Sequence, residues 1–330
     1  MQHVRLGRTG LQVSRICLGT MTFGLQVDED GSRAILDYAD TKGITFLDAA
    51  DVYPLGGDLT TVGRTEEILG RWLAGRRDQF VVATKCFGPT GTKPWDAGNS
   101  RRHILDAVDA SLRRLQTDFI DLYQLHFDDR NVPLEESLGA LDDLVRVGKV
   151  RYVGCSNFLA YRLASALGKS AALGFVRFDS VQPRYNLIFR EFERELFPLC
   201  LDEGVGVIPY NPIAGGLLSG KHDRSKPPEE GTRFTLGNAG PMYQDRYWHD
   251  NVFDTVVQLA KVADSAGIPL PTLAVAWTLQ HPAITAPIVG ASRPGQLDAT
   301  CAAVDTPLDA DLVQTLNELT AGYRRGDAPR

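Results

Sequence analysis

Residues 119–126 read FIDLYQLH, a short apolar and β-branched run that ends on His126. The same shape recurs along the chain. ITFLD ends at Asp48, FVVATK at Lys85, VRYVGCSN at Ser156 and Asn157, FDSVQ at Gln182, and VGVIPY at Tyr210. Near-continuous apolar runs of this length mark strands buried on both faces. One such strand ending in a charged or hydrogen-bonding side chain is poor packing. Six of them describe a parallel barrel whose strand ends converge on one site.

Working outward, eight strand-like runs are found: Arg15–Leu18, Ile44–Asp48, Phe80–Thr84, Phe119–Leu125, Val150–Cys155, Asp179–Gln182, Val205–Tyr210 and Ile284–Val289. Amphipathic segments separate them. Gly31–Lys42 places Ile35, Leu36 and Ala39 on one face, and Arg102–Leu115 repeats apolar residues at Ile104, Leu105, Val108, Leu112 and Leu115. Leu134–Val147, Glu191–Asp202, Val252–Ala266 and Thr272–Gln280 are spaced alike. Thr65–Leu73 opens on Thr-Glu-Glu, which reads as a cap followed by acid in the first turn. Eight β-then-α units in 330 residues average about 41 residues each, enough for a βαβ unit. The alternation predicts an α/β chain folded as a (β/α)8 TIM barrel rather than an open doubly wound sheet. No linker-like tract divides it, so a single domain is expected over residues 1–330, with a long loop after the seventh strand and extra helices at the C-terminal end.

That loop is the first departure from a plain barrel. Lys221–Asp250 holds Gly, Pro, Arg and the aromatics Phe234, Tyr243, Tyr247 and Trp248, the composition of a lid or substrate wall. A second Gly- and Pro-rich stretch, Cys86–Arg101, follows the third strand and carries Trp95.

The chain is 43% hydrophobic and 23% charged, which suffices for a sizeable core. A net charge of -6 without a basic stripe argues against nucleic acid as partner. No run approaches the roughly 20 apolar residues that span a bilayer, and the N-terminus lacks a signal-peptide apolar region. The five cysteines lack CxxC spacing. The expectation is a reduced cytoplasmic protein without disulfides, membrane partner or structural zinc.

Several catalytic motifs are absent. There is no HExxH, no G-x-S-x-G and no G-x-G-x-x-G, which weighs against metal catalysis and α/β-hydrolase chemistry and means that any dinucleotide is not bound in the Rossmann manner. GGLLSGKH (215–222) spaces Gly215, Gly220 and Lys221 as a phosphate loop does, but His222 stands where magnesium binding requires Ser or Thr. What survives is a loop whose small residues let backbone N–H groups approach a pyrophosphate.

Asp48, Tyr53, Lys85 and His126 carry the chemistry. Each alone has a packing explanation: a helix cap, a loop aromatic, a snorkelling lysine, a satisfied histidine. Together they project from the ends of strands two, three and four, which are neighbours in a barrel. A free tyrosine, with a pKa of about 10, is a weak acid at neutral pH. A cation within reach lowers that value; Lys85 can supply it, and Asp48 can hold Lys85 charged and in place. His126 can hydrogen-bond a substrate oxygen. Such a site donates a proton to a developing alkoxide, the task in carbonyl reduction, and it lacks its own hydride, which implies a nicotinamide cofactor.

With these residues on the page, the chain resembles the aldo-keto reductase superfamily over nearly its whole length. The matching segments are LGRTGLQVSRICLGTMTFG, FLDAADVY, TEEILGRWL, VVATK, DLYQLH, VRYVGCSNF, SVQPRYN, YNPIAGGLLSGK and PIVGASRPGQL. The long loop after strand seven is similar to the bacterial and channel-β-subunit-like branch. The resemblance implies NADPH/NADP+ bound in extended form and reversible reduction of aldehydes or ketones. It implies Tyr53 as proton donor, Lys85 and Asp48 as its partners, and His126 orienting the carbonyl. It places the nicotinamide carboxamide on Ser156, Asn157 and Gln182, the nicotinamide ring on Tyr210, and its ribose beside Thr20 and Met21. The pyrophosphate falls along Pro212 to Gly216 and Leu217, with Lys221 and Arg233 in contact. Gly290, Ser292, Arg293 and Gln296 surround the adenosine 2′-phosphate. That last position also has a physical argument, because Arg293 precedes Pro294 at the start of a helix and cation and helix N-terminus could share one phosphate. Ala299 and Thr300 replace the Glu and Asn that related sequences often set against the adenine.

The expected partner is a small-molecule carbonyl compound. Its pocket is expected to be walled by Tyr53, Trp95, His126, Phe127, Tyr247 and Trp248, with Phe23 and Tyr243 as further candidates. A broad aldehyde reductase is favoured. The alternatives are an NADPH-binding redox-sensing regulatory subunit with little turnover, and a sugar-nucleotide ketoreductase of the same family. A phosphate-sugar isomerase on the same barrel would bind no NADPH.

Overall fold

The computed structural model describes residues 1–324. An antiparallel hairpin, β1 (His3–Arg5) and β2 (Gln12–Ser14), precedes the barrel. The barrel strands are β3 (Cys17–Gly19), β4 (Phe46–Asp48), β5 (Val81–Cys86), β6 (Ile120–Leu125), β7 (Val150–Ser156), β8 (Ser180–Gln182), β9 (Gly206–Val207) and β10 (Ile288–Val289). They pair in parallel in chain order, with β10 beside β3. Bridges from Val207 to Ile284 and from Tyr210 to Ile288 close the ring. The chain is a (β/α)8 barrel, and each expected strand run contributes one of its staves. Val205–Tyr210 is shorter in the ladder than its apolar run, because Pro209 has no N–H to donate.

Side chains alternate along each stave, and the alternation sorts the interior into layers. Phe46, Ala83 and Leu122 point inward and join Leu6, Val13 and Ile208 in an apolar plug. The hairpin supplies part of that plug at the N-terminal end of the barrel, where the Arg8 N–H bonds the Gly204 carbonyl at 2.8 Å. Sequence patterning did not disclose the hairpin, since its three-residue strands are too short for a period to register. Two residues further along, the same inward rows carry Asp48, Lys85 and Gln124. The core thus changes from oil to charge within one layer.

Helices cover the outside, with local corrections. The segment expected from Gly31 begins at Glu29, because the Asp28 side chain accepts the Gly31 N–H and caps the helix two residues earlier. Thr65 is not a cap: the helix is Arg64–Leu73, entered through Gly63 at φ 86°, and the Thr65 hydroxyl bonds the Phe23 carbonyl at 2.8 Å. Glu191–Asp202 divides into a short turn, Glu191–Glu193, and a helix, Leu196–Glu203; Pro198 is tolerated only within a first turn. Gly70 lets the helix Arg64–Leu73 press onto Arg101–Leu115, since a Cβ there would sit 2.2 Å from the Arg114 carbonyl oxygen. Gly70→Ala is expected to lower stability by about 1–3 kcal/mol through this overpacking. A lower urea midpoint at unchanged slope is the expected reading; an unchanged midpoint would mean the helices separate freely.

Candidate active site

The C-terminal ends of the staves open into one cavity of about 510 Å³, within the usual range for small-molecule sites. Asp48, Tyr53, His126, Ser156, Asn157, Gln182 and Tyr210 all line it. Beneath them lies Lys85, fully buried. Its ammonium donates to Asp48 Oδ2 and to the Ala49 carbonyl, both at 2.6 Å, and reaches the Tyr53 hydroxyl at 3.5 Å. Burial works against the charge on Lys85, but Asp48 and Tyr53 together more than offset it and hold the ammonium above its ordinary value. The Tyr53 phenol departs from the sequence expectation. Burial pushes it up, and Lys85 opposes that shift without reversing it. His126 is pushed well below the ordinary imidazole range by burial and by Lys85, and it is neutral at physiological pH. Its ring meets Tyr53 edge-on, with centroids 5.8 Å apart.

Gln124 belongs to this cluster and was missed. Its amide and that of Gln182 both donate to Asp48 Oδ1, at 3.2 and 2.8 Å. The signal was present: stepping back by two from His126 along β6 reaches the next inward side chain. The neighbouring strip is bonded in the same way. Ser156 donates to the Gln182 carbonyl at 2.8 Å, Asn157 Nδ2 to the His126 carbonyl at 3.0 Å, and the Tyr210 hydroxyl to Asn157 Oδ1 at 2.9 Å. Asn157, Asn211 and Ala214 hold φ of 59°, 58° and 50° here. Left-handed non-glycine residues cost energy and cluster at functional sites.

Along the cavity lie Met21, Pro212, Gly216, Lys221, Arg233, Gly290, Ser292, Arg293 and Gln296. At Gly216, φ 106°, a Cβ would meet nothing nearer than His222 at 3.8 Å, so this backbone faces open space. The Arg233 guanidinium crosses the cavity to lie 2.7 Å from where a Gly290 Cβ would stand. Two glycines and three cations thus form a cradle suited to an anion. Ala299 and Thr300 line the far end, and the Thr300 hydroxyl is turned back onto the Leu297 carbonyl. Straps close the cavity on one side. Gln26 bonds the Gly231 carbonyl, and Asn238 bonds the Gly57 carbonyl at 2.8 Å.

Several expected positions lie elsewhere. Thr20 is buried with its hydroxyl on the Asp48 carbonyl at 2.9 Å, while its neighbours Gly19 and Met21 face the cavity. The Leu217 side chain is buried beneath the loop. The helix after Arg293 is Gln296–Ala302; Pro294 lies outside it, and Gln296 Oε1 accepts from the Ser292 N–H at 2.8 Å. Trp95 stands outside the cavity, 40% exposed, because Arg102 stacks on its ring at 4.3 Å. Tyr247 is buried against Asn186 at 3.2 Å. Trp248 packs on Phe234 and Phe253, at 4.8 and 4.9 Å between ring centroids. Phe23 is core. Phe127 and Tyr243 do line the cavity, joined by Val52, Leu55, Met242 and Arg246, which sequence reading had not singled out.

Among the described residues no cluster of three metal-ligating side chains occurs, and no helix is long and apolar enough to cross a membrane. The model of the Aldo/keto reductase family matches residues 15–321. The "Uncharacterized oxidoreductase YrpG" of Bacillus subtilis is 39% identical, covering 98% of this chain and 97% of the relative. A "Probable voltage-gated potassium channel subunit beta" of Arabidopsis thaliana is 35% identical, over 95% and 96%. The "Versiconal hemiacetal acetate reductase" of Aspergillus parasiticus is also 35% identical, over 96% of both chains.

Proposed function

The chain belongs to the aldo/keto reductase family, and from that premise we propose that it is an NADPH-dependent reductase of aldehydes or ketones. One observation carries the reading: the Tyr53 hydroxyl faces the cavity with a buried, Asp48-paired ammonium 3.5 Å behind it. The residues present fit a phosphorylated dinucleotide. The cradle leaves room for backbone approach at Gly216, Arg233 lies against Gly290, and Lys221, Arg233 and Arg293 supply cations in a chain of net charge -6. When bound, the nicotinamide supplies the hydride. Asn157 and Gln182 would hold its carboxamide, and Tyr210 its ring face. Ser292, Arg293 and Gln296 would hold the 2′-phosphate.

Tyr53 donates its proton to the substrate oxygen as charge develops there, and Lys85 stabilises the phenolate left behind. Neutral His126 donates a hydrogen bond to the same oxygen and fixes its direction. Asp48, gripped by Gln124 and Gln182, keeps Lys85 from moving.

A fluorescence titration with NADPH and NADH, followed by a panel of aldehydes and ketones, tests the reading. Binding that prefers NADPH, then steady oxidation by one substrate class, is the expected outcome. Likeness to proteins named as channel β subunits favours a second reading, a cofactor-binding regulatory subunit; tight binding without turnover would select it. Arg293→Ala is expected to weaken NADPH about tenfold or more while leaving NADH within about twofold, since only the former carries the 2′-phosphate. Equal weakening of both would move that phosphate elsewhere.

A further inference from the structure

Four cations face the cavity, Lys221, Arg233, Arg246 and Arg293, and its one carboxylate among the described residues, Asp48, is taken by Lys85. Three of the four stand along the cradle assigned to phosphates. Arg246 stands apart. It projects from the helix Gly240–Tyr247, and its guanidinium meets the Tyr243 ring at 6.0 Å; no ion pair engages it among the described residues.

Arg246 belongs to the catalytic end: the Tyr243 ring it meets turns its hydroxyl to Met21 Sδ at 3.9 Å, and Thr20 beside Met21 donates to the Asp48 carbonyl at 2.9 Å. The same cavity is lined by the apolar side chains of Met21, Leu55, Phe127 and Met242. A second guanidinium, Arg184, stacks behind on Phe189 at 3.5 Å and reaches Tyr247 at 5.8 Å. A half-buried guanidinium against apolar surface, with no carboxylate of its own, gains most from a ligand that brings one. The chain's net negative charge would repel such a ligand at long range, so a local cation is what would admit it.

Resting on the reductase reading, we propose that the substrates are anionic carbonyl compounds: short aldehydes or ketones carrying a carboxylate at the far end, with the carbonyl at Tyr53 and the carboxylate on Arg246. A single planar guanidinium matches a carboxylate in bidentate fashion. The carboxylate takes no part in bond making. The hydride goes to the carbonyl carbon, the Tyr53 proton goes to its oxygen, and the distal anion only positions the molecule.

The test compares 4-oxobutanoate with its methyl ester, and 4-formylbenzoate with its methyl ester, so that charge changes and the carbonyl does not. The wild-type protein is expected to show kcat/KM about tenfold or more higher for each acid. In Arg246→Gln the acid-to-ester ratio should fall by about 10- to 100-fold, chiefly through KM, and Arg246→Lys should restore part of it. The ratio is read on one preparation, so partial misfolding cancels. NADPH affinity, read by fluorescence, should stay within about twofold. Weaker NADPH binding with acid and ester reduced alike would assign Arg246 to the cofactor and overturn the inference. A wild-type protein that reduces esters as well as acids would overturn it too, leaving the reductase reading intact. A protein that reduces no aldehyde at all would sink both.

Discussion

Tyr53→Phe is expected to lower the rate of carbonyl reduction by about 10²–10⁴, the usual worth of a positioned general acid, while NADPH affinity stays within about twofold. The substitution removes one oxygen atom and keeps the ring that fills the pocket beside His126. Cofactor contacts are assigned to other residues, so binding and chemistry should separate cleanly. The pH profile of the wild-type protein reports on the same hydroxyl. Burial raises the Tyr53 phenol, so it stays protonated through neutral pH and reduction should fall only on the alkaline side. His126 is depressed well below its ordinary value, so no inflection should mark its usual range between pH 6 and 7. A Tyr53→Phe protein that keeps more than a tenth of the rate would move the proton donor elsewhere, with His126 the next candidate.

The second large effect concerns stability as well as rate. Lys85→Met deletes a fully buried cation and leaves Asp48, only 3% exposed, without its counter-charge. Breaking a buried pair by removing one partner typically costs about 3–5 kcal/mol. The urea midpoint should drop accordingly, and reduction should be lost as well, because Tyr53 loses the charge that opposes its desolvation. Adding Asp48→Asn removes the orphaned carboxylate. The double variant should recover much of the stability and none of the activity, a non-additivity expected of touching residues. If the two losses simply add, Asp48 and Lys85 do not act as a pair.

Strand ends were legible because a parallel barrel gathers the C-termini of all its staves on one face. A polar residue closing an apolar run therefore declares both its strand and its site. Asp48, His126, Gln182 and Tyr210 were found in this way, and the closed ring followed from eight strand-like runs in alternation with helical segments. Gln124 was within reach of the same logic, two residues before His126. The N-terminal hairpin was not, because three residues a side carry no period.

The long loop shows where sequence reading stops. It is dense in aromatics, and composition cannot say which of them turn inward. In the helix Gly240–Tyr247 each residue advances about 100° around the axis, so Met242, Tyr243 and Arg246 share the face toward the cavity. Tyr247 is rotated into the core, and Trp248 beyond the helix packs against Phe234 and Phe253. Trp95 is held outside by a stacked arginine close in sequence. The chain by itself determined the barrel, which follows from local alternation and strand order, and its family, which rests on the matching segments along its length; it also brought forward Asp48, Lys85 and His126 at the ends of their strands. Which loop side chains wall the pocket, and that Arg246 faces it with no carboxylate partner among the described residues, was decided only by tertiary packing, because the rotation of a helix about its axis is set by what it packs against.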